Sequence, residues 1–127
     1  MGVTGGIIVA LNLDEIQQIV KDGLSMNVET YHKLVKCIIE QLDLTYKFRY
    51  ELLDKTTLLE IKQYIHDYAF ILKQNKVVYD FAISDFNESL CLLELSIKLF
   101  QTVTPILIFK FRFELDGEII YNVKIMK

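Results

Sequence analysis

The amino-acid sequence predicts an α+β fold, with a mixed α/β arrangement as the alternative. About four helices are expected on one face of a four- or five-stranded sheet that ends in a C-terminal β-hairpin. Three observations predict this. Apolar and polar residues alternate on both sides of Asp116-Gly117; Asn12/Glu15, Thr57/Glu60 and Asp85/Glu88 repeat a helix-opening spacing; and apolar residues recur at helical intervals after each pair.

The hairpin is the clearest element. Leu107, Phe109, Phe111 and Phe113 alternate with Ile108, Lys110, Arg112 and Glu114, and Ile119, Tyr121, Val123 and Ile125 resume the pattern. A two-residue turn at Asp116-Gly117 would pair Phe113 with Ile120 and Phe109 with Lys124, mixing core with solvent. A three-residue loop, Leu115-Asp116-Gly117, instead pairs Phe113 with Ile119, Phe111 with Tyr121 and Phe109 with Val123. It also puts glycine where positive φ is needed. This register is the one expected, and a hairpin so apolar on one side requires helices to cover it.

Taken in order, Gly5 to Leu11 reads as a short buried strand or a lead-in. Asn12 caps a helix with Leu13, Ile16, Ile19 and Val20 on one stripe, and Gly23 ends it. A second helix, Val28 to Leu42, carries Tyr31, Leu34, Val35, Ile38 and Leu42 opposite Glu29, Lys33, Lys36 and Glu40. Leu44 to Leu52 alternates without interruption and reads as a half-buried strand. Thr57 with Glu60 opens a helix with Leu58, Ile61, Ile65, Tyr68 and Leu72, which Asn75 stops in a left-handed conformation. Val77 to Ile83 reads as a short buried strand. Asp85 with Glu88 opens a last helix, Phe86 to Gln101, whose many apolar residues make it the most buried one. Pro105 precedes the hairpin, where a missing N–H costs little. The two strand–helix–strand connections would be right-handed if they join parallel neighbours.

Length and composition agree with a single globular domain over residues 1–127, since 52% of the residues are hydrophobic and 24% are charged. No apolar run reaches the roughly 18 to 20 residues of a membrane helix. The first twelve residues lack the cationic start of a secretion signal, so a cytoplasmic location is expected. The abundance of Ile, Lys, Phe and Tyr points to an AT-rich genome, such as that of a low-GC bacterium, a phage or a large DNA virus. Cys37 and Cys91 lie within helical patterns at no metal-like or paired spacing, and are expected to be reduced thiols.

No catalytic signature is present. Gly2-Val3-Thr4-Gly5-Gly6 lacks the Lys-Ser/Thr of a phosphate loop and precedes its candidate strand, and no G-x-S-x-G, H-E-x-x-H or C-x-x-C occurs. His32 belongs to a polar helix side. His66-Asp67-Tyr68 resembles an acid–base cluster as text, but consecutive helical residues point about 100° apart. No cofactor, metal or enzymatic activity is expected.

Charge placement carries the functional expectation. Lys47 and Arg49 point away from the apolar side of Leu44 to Leu52, as Lys110, Arg112 and Lys124 do in the hairpin. Segments 44–52 and 105–126 thus hold five cations against four carboxylates in a chain of net charge −3. Outward lysines and arginines also protect strands from aggregation. Ile108 and Ile120 lie among them, however, and apolar residues among charges characterise a protein interface more than a nucleic-acid groove. A pI near 5.4 also disfavours nucleic acid. The leading expectation is a non-enzymatic protein-binding module of the inhibitor, immunity or adaptor type. Its polar contacts would be Lys47, Arg49, Lys110, Arg112 and Lys124, with Ile108 and Ile120 as apolar anchors. The alternatives are an acidic helical face (Glu29, Glu40, Glu60) engaging a basic nucleic-acid-associated protein, and a small-ligand or enzymatic pocket lined by Tyr46, Tyr50, Tyr64 and Tyr68. A homodimer is compatible with each.

Overall fold

A computed structural model describes residues 13–22, 28–48, 54–87, 91–102, 104–114 and 118–126. The chain divides into two compact units, residues 1–42 and 43–127. The expected strand Gly5 to Leu11 and the caps Asn12, Gly23 and Glu88 lie outside the described residues.

In the first unit, α1 (Leu13–Asp22) and α2 (Val28–Leu42) pack on each other. Asp14 and Glu15 occupy the first turn of α1, where carboxylates favour the partial positive charge of a helix start. Ile16, Tyr31, Leu34, Val35, Ile38 and Leu42 are buried, as their spacing predicts. Cys37 is buried with Glu15 beside it, and burial, reinforced by that carboxylate, pushes the thiol up to about 11. Its proton is held more tightly folded than unfolded, so stability falls as pH rises from the ordinary thiol value of 9.0 toward about 11. At neutral pH a maleimide should label half-buried Cys91 in the native protein and reach Cys37 only in denaturant. Equal native labelling of both would contradict this packing.

The second unit opens with a correction. Leu44–Lys47 is a one-turn helix, α3, rather than the start of a strand. Asp43 takes left-handed geometry (φ 44°), breaking α2, and the Lys47 and Phe48 amides then donate to the carbonyls of Asp43 and Leu44 at 2.9 and 3.0 Å. Leu44 and Phe48 are a helical turn apart as well as being in phase for a strand, so the alternation fitted both periods. Leu44 is buried, whereas Tyr46, expected on the same apolar side, is 60% exposed. The rest of that expected strand, 49–52, lies outside the described residues.

Helix α4 (Lys55–Gln74) starts one turn earlier than the Thr57/Glu60 pair implied. Asp54 is its N-cap, its Oδ1 accepting from the Thr57 amide at 2.9 Å, which holds the Asp54 carboxyl below its ordinary range. Ile61, Ile65, Tyr68, Ala69 and Leu72 form the buried stripe. Asn75 does not provide the left-handed stop: its φ is −89°, and Lys76 takes φ 59° instead. The Lys76 amide donates to Lys73 O at 3.0 Å and the Val77 amide to Leu72 O at 2.9 Å, a Schellman closure with buried Val77 and Leu72 beneath it. Since lysine bears a Cβ penalty there, Lys76→Gly should raise the unfolding free energy by about 1 kcal/mol in a urea titration. A loss of stability would refute the closure.

Four strands follow: β1 (Asp80–Ile83), β2 (Leu92–Lys98), β3 (Ile106–Phe113) and β4 (Ile119–Met126), in the order β1-β2-β3-β4 and all antiparallel. Within the expected last helix, Phe86 to Gln101, residues Leu92–Lys98 are instead an arm of a hairpin. Leu93, Leu95, Ile97 and Leu99 are buried while Glu94 is exposed, a period-two pattern that the density of leucines obscured. Cys91 sits in a turn at φ 52°, not within a helix. The expected strand Val77 to Ile83 shortens to Asp80–Ile83, and among the described residues no strands pair in parallel, so there is no crossover rule to apply. The C-terminal hairpin has the expected register, Phe113 with Ile119 through Ile106 with Met126, although Gly117 itself lies outside the described residues.

Helix α4 packs on β1 and β2. Phe81 and Ile83, Leu93 to Ile97, Leu107 to Phe113 and Ile119 to Ile125 supply alternate residues to one face of the sheet. Phe109 and Phe111 are fully buried at its centre. The class is α+β, and no helix among the described residues is long and apolar enough to cross a membrane.

Candidate functional site

Pairing of the four strands arranges the opposite face of the sheet in rows. Asp80, Lys98, Ile106 and Met126 form one row, and Ala82, Ser96, Ile108 and Lys124 the next. Glu94, Lys110 and Asn122 form the third, and Leu92, Arg112 and Ile120 the last. Every residue here is an even-numbered strand position, so the period-two backbone alone assembles the face. Lys110, Arg112, Asn122 and Lys124 are exposed, as are Ile120 at 38% and Met126 at 40%, while Ile106 and Ile108 are half-buried. Cations and aliphatic side chains are thus neighbours along and across strands.

Of the seven residues expected to make contacts, the sheet brings together Ile108, Lys110, Arg112, Ile120 and Lys124. Lys47 does not join them. It lies on α3, with Nζ 5.6 Å from the centroid of the Tyr64 ring. Arg49 lies outside the described residues. The sequence reading missed Lys98, Glu94 and Leu92, because residues 92–98 were read as helix. The alternation of Glu94, Ser96 and Lys98 with buried neighbours was the available signal.

Electrostatically the face is a mixed surface with cations in excess. Arg112 Nη2 is 3.0 Å from Glu114 Oε1, and Glu94 stands opposite Lys110. Asp80 is bound by Lys73 Nζ at 2.9 Å, and this bond, together with the Phe81 amide, holds its carboxyl below the ordinary range. Lys98 Nζ lies 5.5 Å from the Tyr79 ring centroid. Lys124 has Ile108 as its cross-strand neighbour rather than an acid. Exposed pairs of this kind add little to stability, so their cations remain available to a partner.

The competing arrangements are less coherent. His66 Nδ1 does reach Asp67 Oδ1 at 3.4 Å, correcting the expectation that the two diverge. Tyr68, however, is buried in the core, and the imidazole is packed between Phe70 and Phe81, at centroid distances of 6.1 and 5.4 Å. Tyr46 is 60% exposed and Tyr68 is 1% exposed, so they do not line one pocket, and Tyr50 lies outside the described residues. Glu29 and Glu40 belong to the first unit and Glu60 to the second; all are exposed, Glu40 lying 3.9 Å from Lys36. An open groove of about 500 Å³ lies along α4, where Leu58, Leu59, Phe86 and Cys91 meet the Lys62–Asp85 ion pair of 2.9 Å. That bond holds the Asp85 carboxyl low. Among the described residues, no three His, Cys, Asp or Glu side chains are grouped to hold a metal ion.

Comparison of the chain with protein-family models, with curated proteins and with solved structures yields no match.

Proposed function

We propose that this chain is a non-enzymatic protein-binding module, of the inhibitor, immunity or adaptor type, whose contact surface is the outer face of the sheet. The observation that carries the reading is the juxtaposition of exposed Lys110, Arg112 and Lys124 with Ile108 and Ile120 on one strand-paired surface. Apolar anchors supply desolvation energy and surrounding charges set orientation and encounter rate, the division of labour found in protein interfaces. The partner that fits is a protein presenting carboxylates around an apolar patch.

The test is affinity capture from lysate, comparing the wild type with Lys110→Gln/Lys124→Glu, with and without nuclease. A captured protein that survives nuclease and is lost from the variant supports the reading. Capture lost on nuclease treatment points to nucleic acid, and capture equal for both proteins removes this face as the site.

A further inference from the structure

We propose that β4 is the dimerisation edge of this protein, pairing antiparallel with β4 of a second copy about a two-fold axis at Val123. The inference is independent of the outer-face reading, since it uses the strand's edge.

The two edges of the sheet are treated differently. The Ser84 amide donates to Glu94 O at 2.9 Å, so the Phe81 amide turns outward on β1. There the Asp80 carboxylate takes that amide at 2.8 Å, on a strand of only four residues. Strand β4 has eight residues without proline or bulge. The Glu114 amide donates to Glu118 O at 2.8 Å, and this phase turns the peptide groups of Ile119, Tyr121, Val123 and Ile125 away from β3. Ile119 O accepts from Thr45 Oγ1 at 3.5 Å. Among the described residues, no strand pairs with the outward groups of Tyr121, Val123 and Ile125. Long edges of this kind pair with another chain unless blocked.

The sequence of β4 selects both the occupant and the register. With the axis at Val123, Tyr121 meets Ile125, Ile120 meets Met126 and Asn122 meets Lys124 of the second copy. Apolar residues thus face apolar ones, and polar face polar. An axis at Asn122 sets Lys124 against Ile120, one at Tyr121 sets Asn122 against Ile120 and requires the Ile119 carbonyl, and one at Lys124 opposes two lysines. Tyr121 (47% exposed), Ile120 and Met126, the large exposed apolar side chains of the sheet, gain apolar cross-strand neighbours at the seam while the outer face of Ile120 stays open. A closed two-fold contact also uses up the edge and prevents fibre growth.

Sedimentation equilibrium of the full chain should show a dimer. Val123→Pro, which removes an outward amide and no bond to β3, should give a monomer with an unchanged far-UV circular dichroism spectrum. In a Cys91→Ser background, Val123→Cys should oxidise to a covalent dimer. Hydrogen-bonded antiparallel pairs hold Cα atoms about 5.5 Å apart, within disulfide range. Ala82→Cys, on the opposite side of the sheet, should stay monomeric on a denaturing gel. A monomeric wild type, a dimeric Val123→Pro protein, or cross-linking of Ala82→Cys as fast as Val123→Cys would overturn the proposal. If Val123→Pro fails to fold, the wild-type mass and the cross-linking pair decide.

Discussion

Alanine at Phe109 should lower the unfolding free energy by about 3–5 kcal/mol, a third or more of the stability typical of a domain this size. Phe109 is fully buried on central strand β3, between Leu95 and Val123, and its ring stacks near that of Phe111 at 6.2 Å between centroids. Removing it leaves a cavity that flanking strands, fixed by backbone hydrogen bonds, do not close. The same urea titrations separate strand from helix over residues 92–98. Leu95→Ala should cost about 2–5 kcal/mol and Leu92→Ala less than about 1 kcal/mol, because Leu95 faces the core and Leu92 the outer face. A helix there would place Leu92 and Leu95 on one stripe and make both substitutions costly. Comparable losses would therefore contradict the sheet.

The second large effect concerns binding. Lys110→Gln/Lys124→Glu should reduce capture by at least about tenfold, the cost of losing contacts worth more than about 1.4 kcal/mol. These two positions are preferred over Arg112, whose reversal would set a carboxylate against Glu114. Glutamine at Lys110 likewise avoids opposing two acids across Glu94. The pair should leave the urea midpoint nearly unchanged, since neither lysine is buried. Wild-type capture should also weaken with salt, as exposed charges are screened within about 10 Å at 0.1 M.

The fold was legible where one period dominated. The hairpin register could be derived because a one-residue slip would have turned Lys124 into the core opposite Phe109. The stripes of α2 and α4, and the buried Ile16 of α1, followed from unambiguous helical spacing. Residues 92–99 were misread because leucines occupy both phases at Leu92 and Leu93, masking the alternation that Glu94, Ser96 and Lys98 impose. Residues 44–48 were misread because Leu44 and Phe48 satisfy both periods; the available signal was Asp43, a residue type that tolerates the left-handed conformation it takes here. The site inherited both errors. Its hairpin half was anticipated from Lys110, Arg112, Lys124, Ile108 and Ile120, while its β2 half, Leu92, Glu94 and Lys98, needed the strand assignment first. The cap at Asp54 and the turn at Lys76 were displaced by a few residues from Thr57 and Asn75, since side-chain caps and left-handed turns are chosen by local geometry as much as by residue preference.

The most direct measurement of the proposed contact is site-specific photo-cross-linking. A photoreactive residue is placed at Ile108, in the middle of the outer face, and in a second protein at Leu59, exposed on α4. Irradiation in lysate should couple a partner to the Ile108 protein and not to the Leu59 protein. Coupling at Leu59 with none at Ile108 would contradict the account and move the contact to the helix.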